Sequence, residues 1–207
     1  MLFLAVLAVA AAAQPNLAKV ALRPAQVGPG YVVQQRPDGQ GTAQRTLDLC
    51  GTKNYPSESQ RVERLQINYL RQNAKLALSN EVVRYKSGGA AQAMREAAQH
   101  VVTCPKTPIA FEGTPPLKYQ LTRVHDSKLV KGYVAVRIHR TGTVSGKKID
   151  DVLFVVYQRV GNVLSGVYSY AATGVAAAAQ QTFCLRAAEQ SAANLRSGGS
   201  PTGGITA

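Results

Sequence analysis

The chain has 207 residues and a formal net charge of +13 at pH 7. This length is enough for one domain with a sizeable core, and no internal repeat is found that would indicate a repeat architecture. The charge favours anionic surroundings such as phospholipid head groups, anionic cell-wall polymers or nucleic acid. Because the basic residues are spread along the chain, we expect a solvated basic surface and no specific nucleic-acid site.

The chain begins with an apolar run over residues 2–10, followed by three alanines before Gln14. The run has the length of a signal-peptide core and is too short to span a bilayer. The basic residues that usually precede such a run are missing, so either the start lies further upstream or this leader belongs to a longer one. We interpret residues 1–13 as a cleaved signal peptide, with an uncleaved membrane anchor as the alternative. The expected location is secreted or in the cell envelope.

Two segments that flank the expected domain have the composition of unstructured chain. Residues 14–30 contain three prolines and predict a linker. Residues 197–207 are rich in Gly and Ser and predict a flexible tail. A single domain is therefore expected over residues 31–196.

The first half of this domain has the alternation of β-strands. Residues 31–34 and 44–49 are strand candidates, and the second of them leads into Cys50. In residues 65–69 apolar and polar side chains alternate, which is typical of a half-buried strand. Residues 81–85 are its expected partner.

A helix is predicted over residues 88–103, with Ser87 as its N-cap and Pro105 as the residue that stops it. Its apolar residues recur at spacings of three and four and form one stripe: Ala90, Met94, Ala97 and Val101. Cys104 continues this stripe, so we expect its sulfur to face the sheet.

The second half of the domain predicts a meander of strands. The candidate strands cover residues 117–121, 134–138, 152–158 and 163–170. A loop is expected over residues 141–148, Gly161-Asn162 is a two-residue turn signal, and a last helix is expected over residues 175–195. Strands outnumber helices and the loops are too short for crossover helices. The sequence therefore predicts an α+β fold, an antiparallel β-sheet with two main helices packed on it in a single domain.

Three cysteines in an exported chain indicate a disulfide. Cys50 is expected to end a strand and Cys104 to end a helix, and a bridge is easiest to place at such element ends. We therefore predict a Cys50–Cys104 disulfide, which would stabilise the fold by about 4 kcal/mol in the chain-entropy model. Cys184 is left as a free thiol, either a small buried hydrophobe or a reactive group. No CxxC or HxxxH spacing occurs, so no metal and no cofactor are expected.

The block between the first two cysteines resembles a pattern found in exported actinobacterial proteins described as sensor domain-containing proteins. The segments that carry the resemblance are Asp48-Leu49-Cys50-Gly51, Tyr55-Pro56-Ser57-Glu58 with Arg61 and Arg64, Asn80-Glu81-Val82-Val83-Arg84-Tyr85, Gly88-Gly89-Ala90-Ala91-Gln92-Ala93-Met94 and Thr103-Cys104-Pro105. More distantly, the chain resembles the PknH-like extracellular sensor domain attached to some bacterial serine/threonine kinases. The resemblance covers about residues 47–105 and the remaining strands loosely.

The resemblance implies a sheet-and-helix domain with a disulfide-braced cleft, which binds an unidentified ligand and catalyses nothing. The chain departs from that pattern in two ways. Three cysteines cannot form two bridges, so any second disulfide of the family is absent here. The chain also has no kinase domain, so signalling would require a partner protein.

Four residues are weak candidates for ligand binding. Glu58 is expected to pair with Arg61 or Arg64 at the surface, and the alternative is that these two arginines line an anion site. Arg137 and His139 share the polar side of a predicted strand, where they either face solvent or bind an anion.

The sequence shows no catalytic constellation. His125 and Asp126 are neighbours in a turn, where adjacent side chains rarely form a working dyad. No GxSxG elbow surrounds any serine, and Asp150-Asp151 at a strand start is the only acidic pair. Two separated acids in one cleft, as in a glycosidase, are neither shown nor excluded.

We interpret the protein as a noncatalytic, exported domain of the cell envelope that senses or binds a ligand. The partner is then an unknown small ligand or envelope component, with a signalling protein downstream. The first alternative is a basic envelope protein that binds anionic cell-wall polymer or lipid head groups. A secreted hydrolase is the least favoured alternative.

Overall fold

The fold is built on one antiparallel sheet. The computed structural model of the chain describes residues 16–34, 39–50, 55–110 and 115–199. The strands of the described residues are β1 (Val32–Gln34), β2 (Arg61–Leu70), β3 (Leu76–Tyr85), β4 (Leu117–Arg123), β5 (Val134–Val144), β6 (Lys147–Val160) and β7 (Val163–Ala171). They form a seven-stranded sheet in the order β1-β2-β3-β7-β6-β5-β4, and every pairing is antiparallel.

Helices cover both faces of the sheet. The α-helices are α1 (Leu17–Val20), α2 (Pro24–Val27), α3 (Gly89–Thr103) and α4 (Ala177–Gly199), and a 3₁₀ helix covers Pro56–Gln60. One face packs against α3 and is called the α3 face, and the other packs against α4 and is called the α4 face. The predicted α+β fold with two main helices is confirmed. In the part of the chain that the structure describes, no helix has the length and apolarity needed to cross a membrane.

The central strand β6 is buried on both faces, as its apolar run predicts. Val155 and Tyr157 belong to the core beneath α3, and Phe154 and Val156 belong to the core beneath α4. All four side chains are at most 4% exposed. This one strand therefore contributes side chains to both cores, because successive side chains along a strand point to opposite faces of the sheet.

Helix α3 approaches the sheet closely because small residues line its inner side. Ala90, Ala93 and Ala97 are fully buried. The N-cap is Gly88, with φ +80°, and not the predicted Ser87. Glycine is favoured at this position because the backbone there has a left-handed conformation. The helix therefore begins at a glycine without the side-chain cap that was expected from Ser87.

Two predicted elements in the sheet are wrong. Residues 44–49 form no strand, because the Thr46 and Leu47 amides donate to the Glu58 carboxylate and make no ladder hydrogen bonds. The predicted loop 141–148 is a β-hairpin, in which β5 and β6 continue to a two-residue turn. Left-handed backbone at Ser145 (φ +50°) and Gly146 (φ +75°) closes this turn.

The described part of the predicted linker, residues 16–30, is structured. Leu17, Val20 and Leu22 are at most 2% exposed, and they pack against the α4 face. Pro24 begins α2, because proline at the first helical position sacrifices no hydrogen bond. The interpretation of this segment as an unstructured linker is therefore wrong for residues 16–30.

The termini differ from the expectation or lie outside the described residues. Helix α4 continues to Gly199, three residues into the predicted tail. The signal peptide predicted over residues 1–13 and the remaining tail lie outside the described residues.

The disulfide joins Cys50 to Cys104, as predicted, with the two Cα atoms 5.7 Å apart. It ties the irregular segment before it to the end of α3, since Cys104 is the C-cap of that helix. Cys184 is a free cysteine, fully buried between α4 and the sheet. Burial raises the pKa of its thiol to about 12, which favours the hydrophobic over the reactive interpretation.

Replacing both bridged cysteines (Cys50→Ser with Cys104→Ser) is expected to lower the free energy of unfolding by about 2–5 kcal/mol, because the reduced chain regains loop entropy. Urea denaturation measures the loss. Cys184→Ala is the matched control, since it removes a sulfur and leaves the bridge intact. Equal losses in the two proteins would contradict a structural role for the bridge, as would alkylation of Cys50 and Cys104 without prior reduction.

Asn80 is expected to hold the N-terminal segment against the sheet. Its Oδ1 accepts from the Leu22 amide at 2.9 Å, and its Nδ2 donates to Ser165 Oγ at 2.8 Å and to the Gly166 carbonyl at 3.0 Å. Asn80→Ala leaves these buried groups unpaired, so we expect a loss of about 1–3 kcal/mol in the free energy of unfolding and faster tryptic cleavage after Lys19, in the same segment.

Limited proteolysis with mass spectrometry measures that cleavage. The control is Asn68→Ala, a half-buried position on the neighbouring strand β2. Rapid cleavage after Lys19 in the unmodified protein would show that the segment is not docked.

Candidate functional site

A polar cleft of about 310 Å³ lies on the part of the α3 face that α3 leaves open. Its floor is formed by β3, β5, β6 and β7, with β2 at one side, and its wall is the irregular segment 44–48. The residues that line it are Gln44, Arg45, Thr46, Asp48, Arg64, Gln66, Glu81, Ile138, Arg140, Leu153, Val155, Tyr168 and Tyr170. Polar groups at both ends thus flank an apolar floor.

The inner end of the cleft holds a buried ion pair. Arg64 on β2 donates from Nε to Glu81 Oε1 on β3, and both side chains are 2% exposed. Thr46 Oγ donates to the same carboxylate oxygen at 2.9 Å. The Tyr168 hydroxyl lies 3.0 Å from Glu81 Oε2. Among the described residues, Nη1 of Arg64 is buried without a hydrogen-bond partner, which is rare for so polar an atom.

The environment of Glu81 shifts its proton affinity. Burial raises the pKa of this carboxyl group above its ordinary value, and the neighbouring Arg64 and the hydrogen bonds from Thr46 and Tyr168 act against the shift. Desolvation is the larger effect, because it disfavours the charged form of a group with no access to water.

The outer end of the cleft carries a second pair, which is open to solvent. Arg140 on β5 donates from Nε and Nη2 to the two carboxylate oxygens of Asp151, directly opposite on β6, at 2.9 and 2.6 Å. These side chains are 30% and 40% exposed. Asp48 on the wall is close enough to act electrostatically on Arg140. Tyr170 lies beside them and is 44% exposed as a residue, although burial of its hydroxyl raises its pKa above the ordinary value.

Arg61 holds the wall of the cleft in place. Its guanidinium donates to the backbone carbonyls of Gln44 and, at 2.7 Å, of Thr42, and to Thr46 Oγ at 3.2 Å. It also pairs with Glu58 at 2.8 Å, and these two side chains are 5% and 14% exposed. The predicted Glu58–Arg61 pair exists, but it is sheltered by the 42–47 segment and does not lie at the open surface.

The four predicted ligand-binding residues do not come together. Arg64 lines the cleft and Arg61 holds its wall, whereas Arg137 and His139 lie on the α4 side of β5. His139 Nε2 lies 2.8 Å from Asp150 Oδ1 on that opposite side. The structure therefore divides the predicted set between the two faces of the sheet.

Sequence reasoning missed Glu81, Tyr168 and Arg140, which supply most of the polar contacts of the cleft. The signal for them was the period-two pattern itself. Glu81 alternates with Val82, and Arg140 with His139, so their faces follow once the buried residues of each strand are known. The pattern predicts which side chains of a strand share one face of the sheet. Which polar side chains become neighbours depends on the order of the strands, which the pattern does not give.

A larger depression of about 530 Å³ lies at the edge of β2, between residues 16–18 and 40–42. Most of its lining side chains are exposed, Glu63 and Gln40 among them. The buried Arg64 lines both this depression and the cleft, but the other polar side chains of the depression (Asn16, Gln40, Thr42 and Glu63) are exposed. In the described ranges no group of three His, Cys, Asp or Glu side chains is placed to hold a metal ion.

Comparison with solved structures finds a likeness in fold, whereas the comparisons by sequence find none. No protein-family model matches the chain, and no curated protein was found to match it. Among solved structures, the chain is similar to the extracellular domain of PknH from Mycobacterium tuberculosis, with 10% sequence identity and a TM-score of 0.49. The match covers 86% of this chain and 97% of that domain. A likeness at this level brings neither ligand nor activity to this chain.

Glu81→Gln is expected to change how stability depends on pH. Because the folded protein holds the Glu81 proton more tightly than the unfolded chain, this group contributes stability that is fully present below the ordinary pKa of 4.5. That contribution is lost as the pH rises through the raised value. The free energy of unfolding of the unmodified protein should therefore fall, relative to the non-titrating variant, as the pH rises.

Urea denaturation at a series of pH values measures this difference. Glu63→Gln is the control, because Glu63 is 52% exposed and pairs with Arg84 outside the cleft. A difference that grows in favour of the unmodified protein with rising pH would mean that Arg64 outweighs burial at Glu81.

Proposed function

We propose that the protein is a noncatalytic ligand-binding domain of the cell envelope or extracellular space, and that the cleft on the α3 face is its binding site. The observation that carries the proposal is the inner end of the cleft. A fully buried guanidinium and carboxyl group lie there on neighbouring strands, with one guanidinium nitrogen unpartnered among the described residues. Burying such a pair costs desolvation energy, and two apolar side chains at these positions would give the fold equal or greater stability. Stability alone therefore does not explain the pair.

The rest of the cleft fits a small-molecule site. Its volume of about 310 Å³ lies at the lower end of the range for such pockets, which combine an apolar lining with a few placed polar groups. The wall is fixed by Arg61, Glu58 and the disulfide, so the cleft is preformed. A preformed site loses less entropy on binding than a flexible one.

A noncatalytic role is favoured by the state of the acids in the cleft. Glu81 and Asp48 line it together, as the two carboxyl groups of a glycosidase would. The oxygens of Glu81, however, already contact Arg64, Thr46 and Tyr168, and the residue is 2% exposed. A group so enclosed cannot reach a scissile bond to deliver its proton.

Export is supported by the disulfide, because such bonds persist in oxidising compartments and are rare in the cytosol. The apolar leader, residues 1–13, provides the corresponding targeting signal in this proposal. Any signal from the bound ligand would pass to a partner protein through the outer surface of the domain.

The proposal is tested by NMR on the ¹⁵N-labelled full chain with three named solutes of different charge: N-acetylglucosamine, citrate and spermidine. At least one of them is expected to shift the amide signals of cleft residues such as Thr46, Glu81 and Tyr168. The shifts should persist when salt is raised, because contacts inside a cleft are screened less than those of exposed charges.

The control is the binding of vesicles that contain phosphatidylglycerol, an anionic lipid. If vesicles bind, salt abolishes that binding, and none of the three solutes shifts a cleft amide, the ligand-binding proposal is wrong. The alternative, a basic envelope protein that binds anionic polymer or lipid, would then hold. Release of nitrophenol from aryl glycosides would contradict the noncatalytic role.

A further inference from the structure

We propose that the cleft takes a neutral, polyhydroxylated ligand, a sugar unit, rather than an anion. This inference rests on the proposed ligand-binding function and specifies its ligand class. The geometry that supports it is the pairing of acids with bases along the cleft, together with an exposed aromatic ring beside an apolar floor.

Three guanidinium groups lie at the cleft (Arg45, Arg64 and Arg140) with three carboxyl groups (Asp48, Glu81 and Asp151), so its formal charge is balanced, although the chain as a whole carries +13. At the outer end Asp151 takes both hydrogen bonds that the Arg140 fork offers, and the exposed Asp48 stands nearby. An anion that approaches Arg140 would therefore meet the carboxylates of Asp151 and Asp48 beside it. An incoming cation would meet the guanidinium groups in the same way, so neither sign of charge gains from entering.

A hydroxyl group suits this arrangement because it donates and accepts at once. Neighbouring hydroxyls of a sugar can donate to Asp151 or Asp48 and accept from Arg140, without separating the existing pair. At the inner end, Nη1 of Arg64 has no hydrogen-bond partner among the described residues, but it is as enclosed as Glu81, so the ligand contacts are assigned to the outer end. The amide of Gln66 lies beside Arg64, whose Nη2 donates to Gln66 Oε1.

The apolar parts of the cleft match the C–H faces of a sugar ring. A pyranose ring exposes C–H groups on its faces and hydroxyls at its rim. Tyr170, 44% exposed, offers an aromatic face for the C–H groups, and Leu153 is half-buried on the floor between the two polar ends. Tyrosine is enriched at binding interfaces, because its side chain combines an apolar ring with a polar hydroxyl.

The test is an NMR titration of the ¹⁵N-labelled full chain with neutral monosaccharides (glucose, galactose, mannose, arabinose and N-acetylglucosamine), compared with phosphate and citrate. We expect at least one sugar to shift the amides of Tyr170, Leu153 and Arg140, with the same affinity at low and moderate salt. Phosphate and citrate should leave these amides unshifted.

The variants use adjacent positions on one strand. Asp151→Asn should weaken sugar binding by about tenfold or more, because a hydrogen bond to a charged group is lost. Asp150→Asn makes the same change on the opposite face, where Asp150 contacts His139, and should leave the affinity unchanged. Tyr170→Ala, at an exposed position, is a second variant that should also weaken binding, and it keeps the test decisive if Asp151→Asn unfolds.

Each other result overturns the sugar assignment. Cleft shifts with phosphate, citrate or spermidine but with no sugar would reject it and leave the ligand-binding function standing. Sugar shifts that are unchanged in both Asp151→Asn and Tyr170→Ala would place sugar binding outside the cleft. The absence of cleft shifts with every solute would reject the sugar class and the proposed function together.

Discussion

The structure depends on how one irregular segment, residues 44–50, is held across the α3 face. The segment joins no strand, so its backbone polar groups must find partners other than a ladder. Glu58 supplies them for the amides of Thr46 and Leu47, and the disulfide fixes the far end of the segment. Leu47 and Leu49 are fully buried in the core beneath α3, whereas Thr46 contacts the buried carboxylate of the cleft. The same few residues therefore complete a core and build the wall of the cleft.

The two faces of the sheet use polar residues in different ways. On the α4 face, buried polar side chains tie the helix to the strands: Gln158 donates to the Ala188 carbonyl at 2.9 Å, and Ser165 contacts Ser191 at 2.7 Å. These contacts are satisfied within the protein, so they favour a single packing of α4. On the α3 face the helix stops short, and polar groups such as Arg140 remain open to solvent. A function that needs access to the sheet can therefore be placed on the α3 face without disturbing the helix packing on the other.

Local pattern was sufficient to predict part of every strand of the sheet, both long helices and the disulfide, because each depends on periodicity or on element ends, although it also predicted a strand over residues 44–49 that does not form. The cleft was not predictable in that way. Arg61 and Arg64 look equivalent in sequence, yet a β-bulge between Arg61 and Glu63 separates them, and one holds the wall while the other pairs with Glu81. That pairing depends on strand register, which a single strand does not reveal. The four-residue helix α1 was missed because helices so short form only through tertiary contacts.

The net charge of the chain does not locate its binding site. The excess of basic residues is spread along the sequence, whereas in the cleft the guanidinium groups of Arg64 and Arg140 are matched by Glu81 and Asp151. Long-range attraction to anionic polymer or lipid would therefore act on the outer surface and weaken with salt. Recognition in the cleft would depend instead on hydrogen-bond geometry and on contact with Tyr170, which salt affects little. If the proposed function holds, the outer surface would keep the domain near an anionic envelope while the cleft discriminates among neutral ligands.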